Sequence, residues 1–375
     1  MMFEFLATAP FGLEGVVADE LRELGFENVK AQTGGAVFAG DLSDALRANL
    51  WLRCADRVLL VAGRFEAKTF DALFEGVKRL PWEQFIAKDA KFPVSGNCAR
   101  SQLMSVSDCQ SITKKAIVER LKQKHRVQTL PEQKETCAVQ VALHNDMAVL
   151  TLDTSGAGLS RRGYRTWNGE APIRETLAAS ILRLSPWRSG RALHDPMCGT
   201  GTLLVEAAFM AANRAPGMTR EFACETWRWA DAKAIAVLRE QAKAAFTPQN
   251  IEGITGADVD AQALELAKRH IRQAGLAGRI ALRQEDVRDY APDAPGMIVT
   301  NPPYGERLSD RKGCESIARE LGRLNRSAGQ TVCAITAYTG FEKAFGRRAD
   351  KRRRLYNGRL ECEFMTFYGP RRKPE

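Results

Sequence analysis

At 375 residues the chain is longer than one hydrophobic core usually serves, so two or three domains are expected, and 45% hydrophobic content suffices to pack them. No run of about eighteen apolar residues occurs, and Met1 to Pro10 has no basic stretch ahead of a hydrophobic one; a soluble, untargeted, cytoplasmic protein is expected. The nine cysteines form no Cys-x-x-Cys pair and the four histidines no ligand spacing, so reduced thiols and no metal are expected, while a net charge of +10 points to a polyanionic partner.

In chain order, Phe3-Glu4-Phe5-Leu6-Ala7 reads as a strand, Gly15 to Leu24 as an amphipathic helix and Gly35-Ala36-Val37-Phe38-Ala39 as a strand. A helix over Asp41 to Leu52 and a strand over Arg57 to Ala62 complete a small α+β unit. A second block from Thr69 to about Asp153 holds a helix near Asp71 to Leu80 and another from Ser107, with Gln110 placed as its capping-box partner. Strands Ala138 to Leu143 and Met147 to Asp153 form a hairpin across His144-Asn145-Asp146. The helix from Ser107 carries Lys114, Lys115, Lys122, Lys124 and Arg126; a solvated face is the bland reading of such a cluster. Gly156 to Gly169, with Arg161, Arg162 and Arg165 around Tyr164, is the predicted joint.

Beyond the joint strands alternate with helices, the pattern of a doubly wound parallel sheet. Leu193 opens the first strand, which runs into Asp195-Pro196-Met197-Cys198-Gly199-Thr200-Gly201 and an apolar helix from Thr202. The glycines permit a tight turn and close approach of a ligand to the backbone. The loop is not a dinucleotide fingerprint, because Leu204 stands at the third glycine position, nor a P-loop, because no Gly-Lys-Ser/Thr follows. Asp195 would repel a pyrophosphate and favours a cationic or amino-bearing ligand; S-adenosylmethionine, with its sulfonium and α-amino charges, fits. Cys198 reads as a packing residue and not a nucleophile.

Further strands are predicted over Ile251 to Ala257, Ile280 to Gln284, Met297 to Thr300 and Thr331 to Thr336, with a helix over Ala261 to Ala274. Asp258 follows the second strand well beyond the ~20 residues at which a ribose-binding acid normally trails a glycine loop. Residues 214–250, with Trp227, Trp229 and a helical run from Ala232 to Ala245, are therefore read as an insertion whose default role is packing. Asn301-Pro302-Pro303-Tyr304 directly follows the apolar run Met297-Ile298-Val299-Thr300. The prolines stiffen the loop and turn its carbonyls outward, Asn301 offers an amide oxygen, and Tyr304 offers a face on which a base can stack. That set suits gripping an exocyclic amino group, whose lone pair must be localised before it attacks; a simple post-strand turn is the bland alternative. Near the end, Arg347-Arg348 and Lys351-Arg352-Arg353-Arg354 form a third basic cluster, and Asn357-Gly358 between apolar stretches signals a closing hairpin.

The Asp195–Gly201 loop with Asn301-Pro302-Pro303-Tyr304 resembles amino-group methyltransferases that use S-adenosylmethionine. Gly305-Glu306-Arg307-Leu308, Leu159-Ser160-Arg161-Arg162-Gly163-Tyr164-Arg165 and Ala171-Pro172-Ile173-Arg174-Glu175-Thr176-Leu177-Ala178-Ala179 narrow the resemblance to THUMP-domain RNA methyltransferases of the RlmL/YcbY type, which methylate guanine N2 in 23S rRNA. It implies a Rossmann-like class I methyltransferase domain over 156–375, a parallel sheet closed by an antiparallel hairpin. Ahead of it are expected a ferredoxin-like subdomain over 1–66 and an RNA-binding THUMP domain over 67–155. Asp195, Pro196, Cys198, Gly199, Thr200 and Gly201 are then expected to border the methionine part of the cofactor, and Asp258 and Val259 its ribose. Asp286 and Val287 are expected at the adenine, with Asp260 as a helix N-cap. Asn301 and Pro302 would hold the target amino hydrogens, beside Pro303 and a stacking Tyr304, and Lys114, Lys115, Arg161, Arg162 and Arg165 would contact RNA. A tRNA guanine-N2 or RNA adenine-N6 methyltransferase, and a non-catalytic RNA-binding or ribosome-assembly module, stand as alternatives.

Overall fold

The structure, a computed structural model, describes residues 2–165, 173–304, 308–327 and 329–370, the side chains of 308–310 and 327 excepted. The motif residues Ala171, Pro172, Gly305, Glu306 and Arg307 lie outside the described residues. The chain divides into two units: Met1–Ala9, Val17–Leu159 and Glu221–Glu240 make the first, and Pro10–Val16, Ser160–Arg220 and Gln241–Glu375 the second.

The first unit is built on a seven-stranded sheet of β1 (Phe3–Thr8), β2 (Lys30–Gln32), β3 (Gly35–Gly40), β4 (Arg57–Glu66), β5 (Val94–Ala99), β6 (Val139–His144) and β7 (Met147–Asp153), in the order β2-β3-β1-β4-β7-β6-β5. The ten-residue β4 joins its two halves, pairing with β1 through Arg57–Leu60 and with β7 from Leu59 to Glu66. It runs four residues beyond the end that the sequence pattern predicts, because Gly63 and Arg64 break the apolar run without ending the strand. Gly63 follows the register shift there and leaves room for the Leu80 side chain, whose Cδ2 a Cβ would meet at 2.4 Å. Helices α1 (Glu14–Glu23), α2 (Leu42–Trp51), α3 (Phe70–Arg79) and α4 (Val106–His125) accompany the sheet. α4 is capped by Ser105, which accepts from the Asp108 N–H, and not by Ser107 with Gln110 as the sequence suggested. The β6–β7 turn places Asn145 and Asp146 at φ 50° and 61°, the left-handed pair that a tight hairpin demands.

Glu221–Glu240, expected as an insertion in the catalytic half, counts with the first unit. Trp227 is buried and its indole donates to the Thr136 carbonyl at 3.1 Å, while the Trp229 ring lies 5.7 Å from Phe3. Packing is thus what these indoles do.

The second unit carries α5 (Glu175–Leu184), β8 (Ala192–Asp195), α6 (Thr202–Ala211), β9 (Ile254–Asp258), α8 (Ala261–Gln273), β10 (Ala281–Gln284), β11 (Gly296–Thr300) and α9 (Leu308–Ser327). It ends in β12 (Thr331–Thr336), α10 (Phe341–Phe345), β13 (Lys351–Asn357) and β14 (Leu360–Phe367); α7 (Ala232–Ala244) leads back into it from the first unit. Its sheet runs β10-β9-β8-β11-β12-β14-β13, parallel from β10 through β12, with β14 antiparallel to β12 and β13 to β14. Winding goes outward from β8 to β10, then reverses to β11 and β12. The crevice at that reversal, outside the carboxyl ends of β8 and β11, is where an open α/β sheet binds its ligand. Beneath it, Ile298, Val332, Met365, Phe341, Phe345 and Phe367 form the core, with the Phe345 and Phe367 rings stacked at 3.7 Å.

Candidate functional site

β8 delivers Asp195, 1% exposed, to the bottom of the crevice, where its Oδ1 accepts the Met197 N–H at 3.2 Å. Burial, with the charge of Asp258 added, pushes its carboxyl up to about 7. The loop then turns through Gly199 and Gly201, both left-handed at φ 51° and 81°, and α6 begins. Two bonds lace the loop to the end of β9: Cys198 N–H to the Ala257 carbonyl at 2.9 Å, and Gly199 N–H to Asp258 Oδ2 at 2.7 Å. Asp258 Oδ1 accepts the Asp260 N–H at 3.0 Å, and Asp260 caps α8 as expected. A carboxylate has about four acceptor positions, so Asp258 can hold the loop and still accept from a diol. After β10, Asp286 takes the Arg288 side chain and N–H, which hold its carboxyl down at about 2, and Val287 is 6% exposed.

Two adjoining cavities, of about 550 and 620 Å³, share Met197, Gly199, Asp260, Ala263 and Asn301, and each is of ligand size. Asp195, Cys198 and Thr200 line the first; Pro196, Asp258, Val259, Asp286, Val287 and Pro303 line the second. Residues from four separate strand ends thus meet in one crevice. The sequence reading missed Ile173, Thr202, Leu203 and Leu266 in the first cavity and Ile317 in the second, apolar or small side chains that carry no chemical signature.

Asn301 lines both cavities at the end of β11. Pro302 is buried, Pro303 exposed and Tyr304 half-buried. The Tyr304 hydroxyl donates to Asn301 Oδ1 and accepts from Asn357 Nδ2 at 3.4 Å, and the Cys314 thiol donates to the Pro303 carbonyl at 3.1 Å. One lone pair of the Asn301 amide oxygen is therefore engaged, the amide is oriented, and the second lone pair remains. The contacts of Asn357 and Cys314 with this loop had no signal in the sequence, because each reaches it from a distant element.

The basic residues divide. Arg162 is not at the surface: it is 3% exposed, with its guanidinium against the fully buried Glu206 at 3.4 Å, and Tyr164 donates to the same carboxylate at 3.1 Å. Arg165 bonds the Ile173 carbonyl at 2.9 Å and Thr202 Oγ1 at 2.7 Å and pairs with Glu175. These two arginines tie the segment ahead of the glycine loop to α5 and α6 through internal partners. Lys114 likewise bonds Glu132 at 2.8 Å and lies 3.5 Å over the Phe92 ring, whereas Lys115 and Arg161 are exposed.

Comparison with known proteins matches three family descriptions along the chain: an RlmL ferredoxin-like domain over residues 4–59, a THUMP domain over 67–153 and an RMKL-like methyltransferase domain over 162–366. "Putative RNA methyltransferase YpsC" of Bacillus subtilis (strain 168) is 42% identical, the match covering 99% of this chain and 98% of that protein. "Ribosomal RNA large subunit methyltransferase K/L" of Methylococcus capsulatus is 38% identical over 98% of this chain but 51% of its own, so this chain spans about half the length of that relative. Among solved structures, "a predicted N6-adenine-specific DNA methylase from Listeria monocytogenes str. 4b F2365" is 43% identical with a TM-score of 0.94, covering 99% of this chain and 97% of that one. Another, "a putative methyltransferase complexed with SAH", is 38% identical with a TM-score of 0.94, covering 99% of both chains. With its ferredoxin-like and THUMP domains ahead of a crevice of this kind, the chain belongs to the RMKL-like family of S-adenosylmethionine-dependent methyltransferases.

Proposed function

We propose that this enzyme methylates the N2 amino group of a guanine in 23S rRNA, acting in the cytoplasm on the RNA or on an assembling large subunit. The observation that carries the reading is Asn301, an amide acceptor on a stiff proline loop that borders both cavities of the cofactor crevice. The crevice suits S-adenosylmethionine: its floor is the buried Asp195, its loop has no lysine or arginine, and Val287 offers an apolar surface beside Asp286. Bound there, that cofactor supplies a methyl group activated by its sulfonium. Asp195 would face its cationic end, Asp258 its ribose and Asp286 its adenine amino group. Asn301 Oδ1 and the Pro302 carbonyl would take the guanine N2 hydrogens, and the proton leaves after transfer. Little base catalysis is needed with a leaving group of this quality, so orientation dominates. A guanine within a helix is out of reach of the loop, hence the target is flipped or already unpaired.

The support for rRNA is the THUMP domain with the naming of the K/L relatives. Adenine-N6 is the second reading, because the tetrad would grip an amino group and one structural neighbour is described as a predicted N6-adenine-specific DNA methylase. A non-catalytic module is disfavoured, since Asp195, Asp258, Asp286 and Asn301 all line one crevice. Nucleoside mass mapping of 23S rRNA from a deletion strain should show one N2-methylguanosine lost and restored by the gene. Loss of N6-methyladenosine, or a change confined to tRNA, would overturn the assignment.

Asp195 gives the cofactor site a pH dependence. With the free carboxyl near 7, it is protonated below neutrality, and a cationic ligand favours its ionised form. Binding then releases a proton, so S-adenosylmethionine affinity should rise with pH, by up to about tenfold per unit below 7, and flatten above it. Calorimetry between pH 5.5 and 8 checks this, with Asp195→Asn expected to bind weakly and without that slope. A wild-type affinity independent of pH below 7 would remove Asp195 from the ligand.

A further inference from the structure

We propose, resting on the reading of this chain as an RNA methyltransferase, that Phe11, Tyr356 and the basic edge strand β13 form a platform for the unpaired nucleotides flanking the target base. Phe11 is 57% exposed, on the stretch Pro10–Val16 that counts with the second unit. Its ring meets Tyr356 edge-on at 6.2 Å, and the Arg354 guanidinium lies 5.8 Å from its centroid. The stretch is seated on the strand: the Gly12 carbonyl accepts from Arg353 at 3.2 Å, and a Cβ on Gly12 would meet the Arg354 carbonyl at 2.8 Å. The aromatic ring is thereby fixed in solvent.

β13 is the outer strand of its sheet, and Lys351, Arg352, Arg353 and Arg354 are all exposed. The acids paired with them are Glu342, 3.3 Å from Arg352, and Glu361, 3.8 Å from Arg354 and bonded by the Tyr356 hydroxyl at 2.9 Å, while Glu363 stands across from Arg354 and Asp350 precedes Lys351. Both arginines of these pairs remain more than half exposed, at 55% and 58%, so water screens the pairs and a phosphate can exchange for either acid. An exposed aromatic ring, Phe11, backed by the half-buried Tyr356 and set among arginines has the chemistry that holds single-stranded nucleic acid, bases on the ring and phosphates on the cations. The same strand ends at Asn357, whose amide reaches the Tyr304 hydroxyl, and at about 3.4 Å per residue Arg354 stands about 10 Å from it. A base drawn out of its helix to the Asn301 loop must leave its neighbours unstacked nearby, and this surface offers them a ring and charge.

The test uses the full chain with unmodified large-subunit rRNA, read by RNA KM, kcat and the salt dependence of RNA affinity. Phe11→Ala should raise RNA KM about tenfold with kcat and S-adenosylmethionine affinity within about twofold, and Phe11→Trp should restore it. The double variant Arg352→Gln, Arg354→Gln should flatten the salt slope by about 1.4, near 0.7 for each single-strand phosphate no longer neutralised. Unchanged KM and salt slope in an enzyme whose wild type methylates the RNA would overturn the platform alone. A wild type that transfers no methyl to any RNA would overturn the functional reading and the platform with it.

Discussion

Asn301→Ala should slow methyl transfer by about 10²–10³-fold, the usual cost of deleting one preorganised polar group that acts on the reacting atoms. The amide oxygen has two lone pairs; the Tyr304 hydroxyl occupies one, and the other is assigned to the target amino group. In the free base the nitrogen lone pair is spread into the ring, so this contact gains most of its strength as the nitrogen becomes tetrahedral. The loss should therefore fall on kcat and leave RNA affinity largely intact. Because Asn301 also lines both cavities of the crevice, S-adenosylmethionine affinity is the control, expected to change by less than about threefold. Tyr304→Ala should be slow too, since it removes both the ring and the bond that orients Asn301. Tyr304→Phe should fall between it and wild type, keeping the ring and freeing the amide to rotate. Single-turnover methylation of unmodified 23S rRNA decides the matter; near-normal rates in Asn301→Ala would mean that the loop does not grip the substrate.

The crevice was legible because its parts are local. Asp195 with Gly199 and Gly201, Asp258, Asp286 and the Asn301 loop each sit at the end of a strand whose apolar run can be read without any neighbour. Topology then brings strand ends together, so recognising an open α/β sheet is enough to predict that these residues meet. What could not be read depends on partners distant in the chain. Nothing around Asn357 or Cys314 announces that they touch the Asn301–Tyr304 loop. Trp227 and Trp229 lie in a stretch that the sequence reads as an insertion after the glycine loop, yet their indoles bond to carbonyls of Thr136 and Phe85. β5 escaped notice because Val94-Ser95-Gly96-Asn97-Cys98-Ala99 has one β-branched residue and places glycine and asparagine inside the run; pairing with β6 makes it a strand. The inward turn of Arg162 was hidden for a related reason. A cluster in a glycine-rich joint has the composition of an RNA-binding arm, and only the position of Glu206 on the buried helix α6 reveals that Arg162 points inward.

That inward arginine sets a large stability effect. Glu206→Ala should destabilise the second unit by about 3–5 kcal/mol, because it leaves the Arg162 charge buried with its main counter-ion gone. Tyr164 would lose the acceptor for its hydroxyl as well, inside a pocket where its ring packs edge-on against Phe209 and His270. Arg162→Ala should cost a similar amount through the stranded Glu206 carboxylate. The pair itself is a poor source of stability, since desolvating both ions offsets most of their attraction. The double variant Arg162→Met, Glu206→Leu, which fills the space with apolar atoms, should therefore recover much of what either single change loses. Urea unfolding followed by tryptophan fluorescence measures all three. An Arg162→Ala protein of wild-type stability, with a flattened salt dependence of RNA binding, would return this arginine to the phosphate-contacting role that the sequence alone suggested.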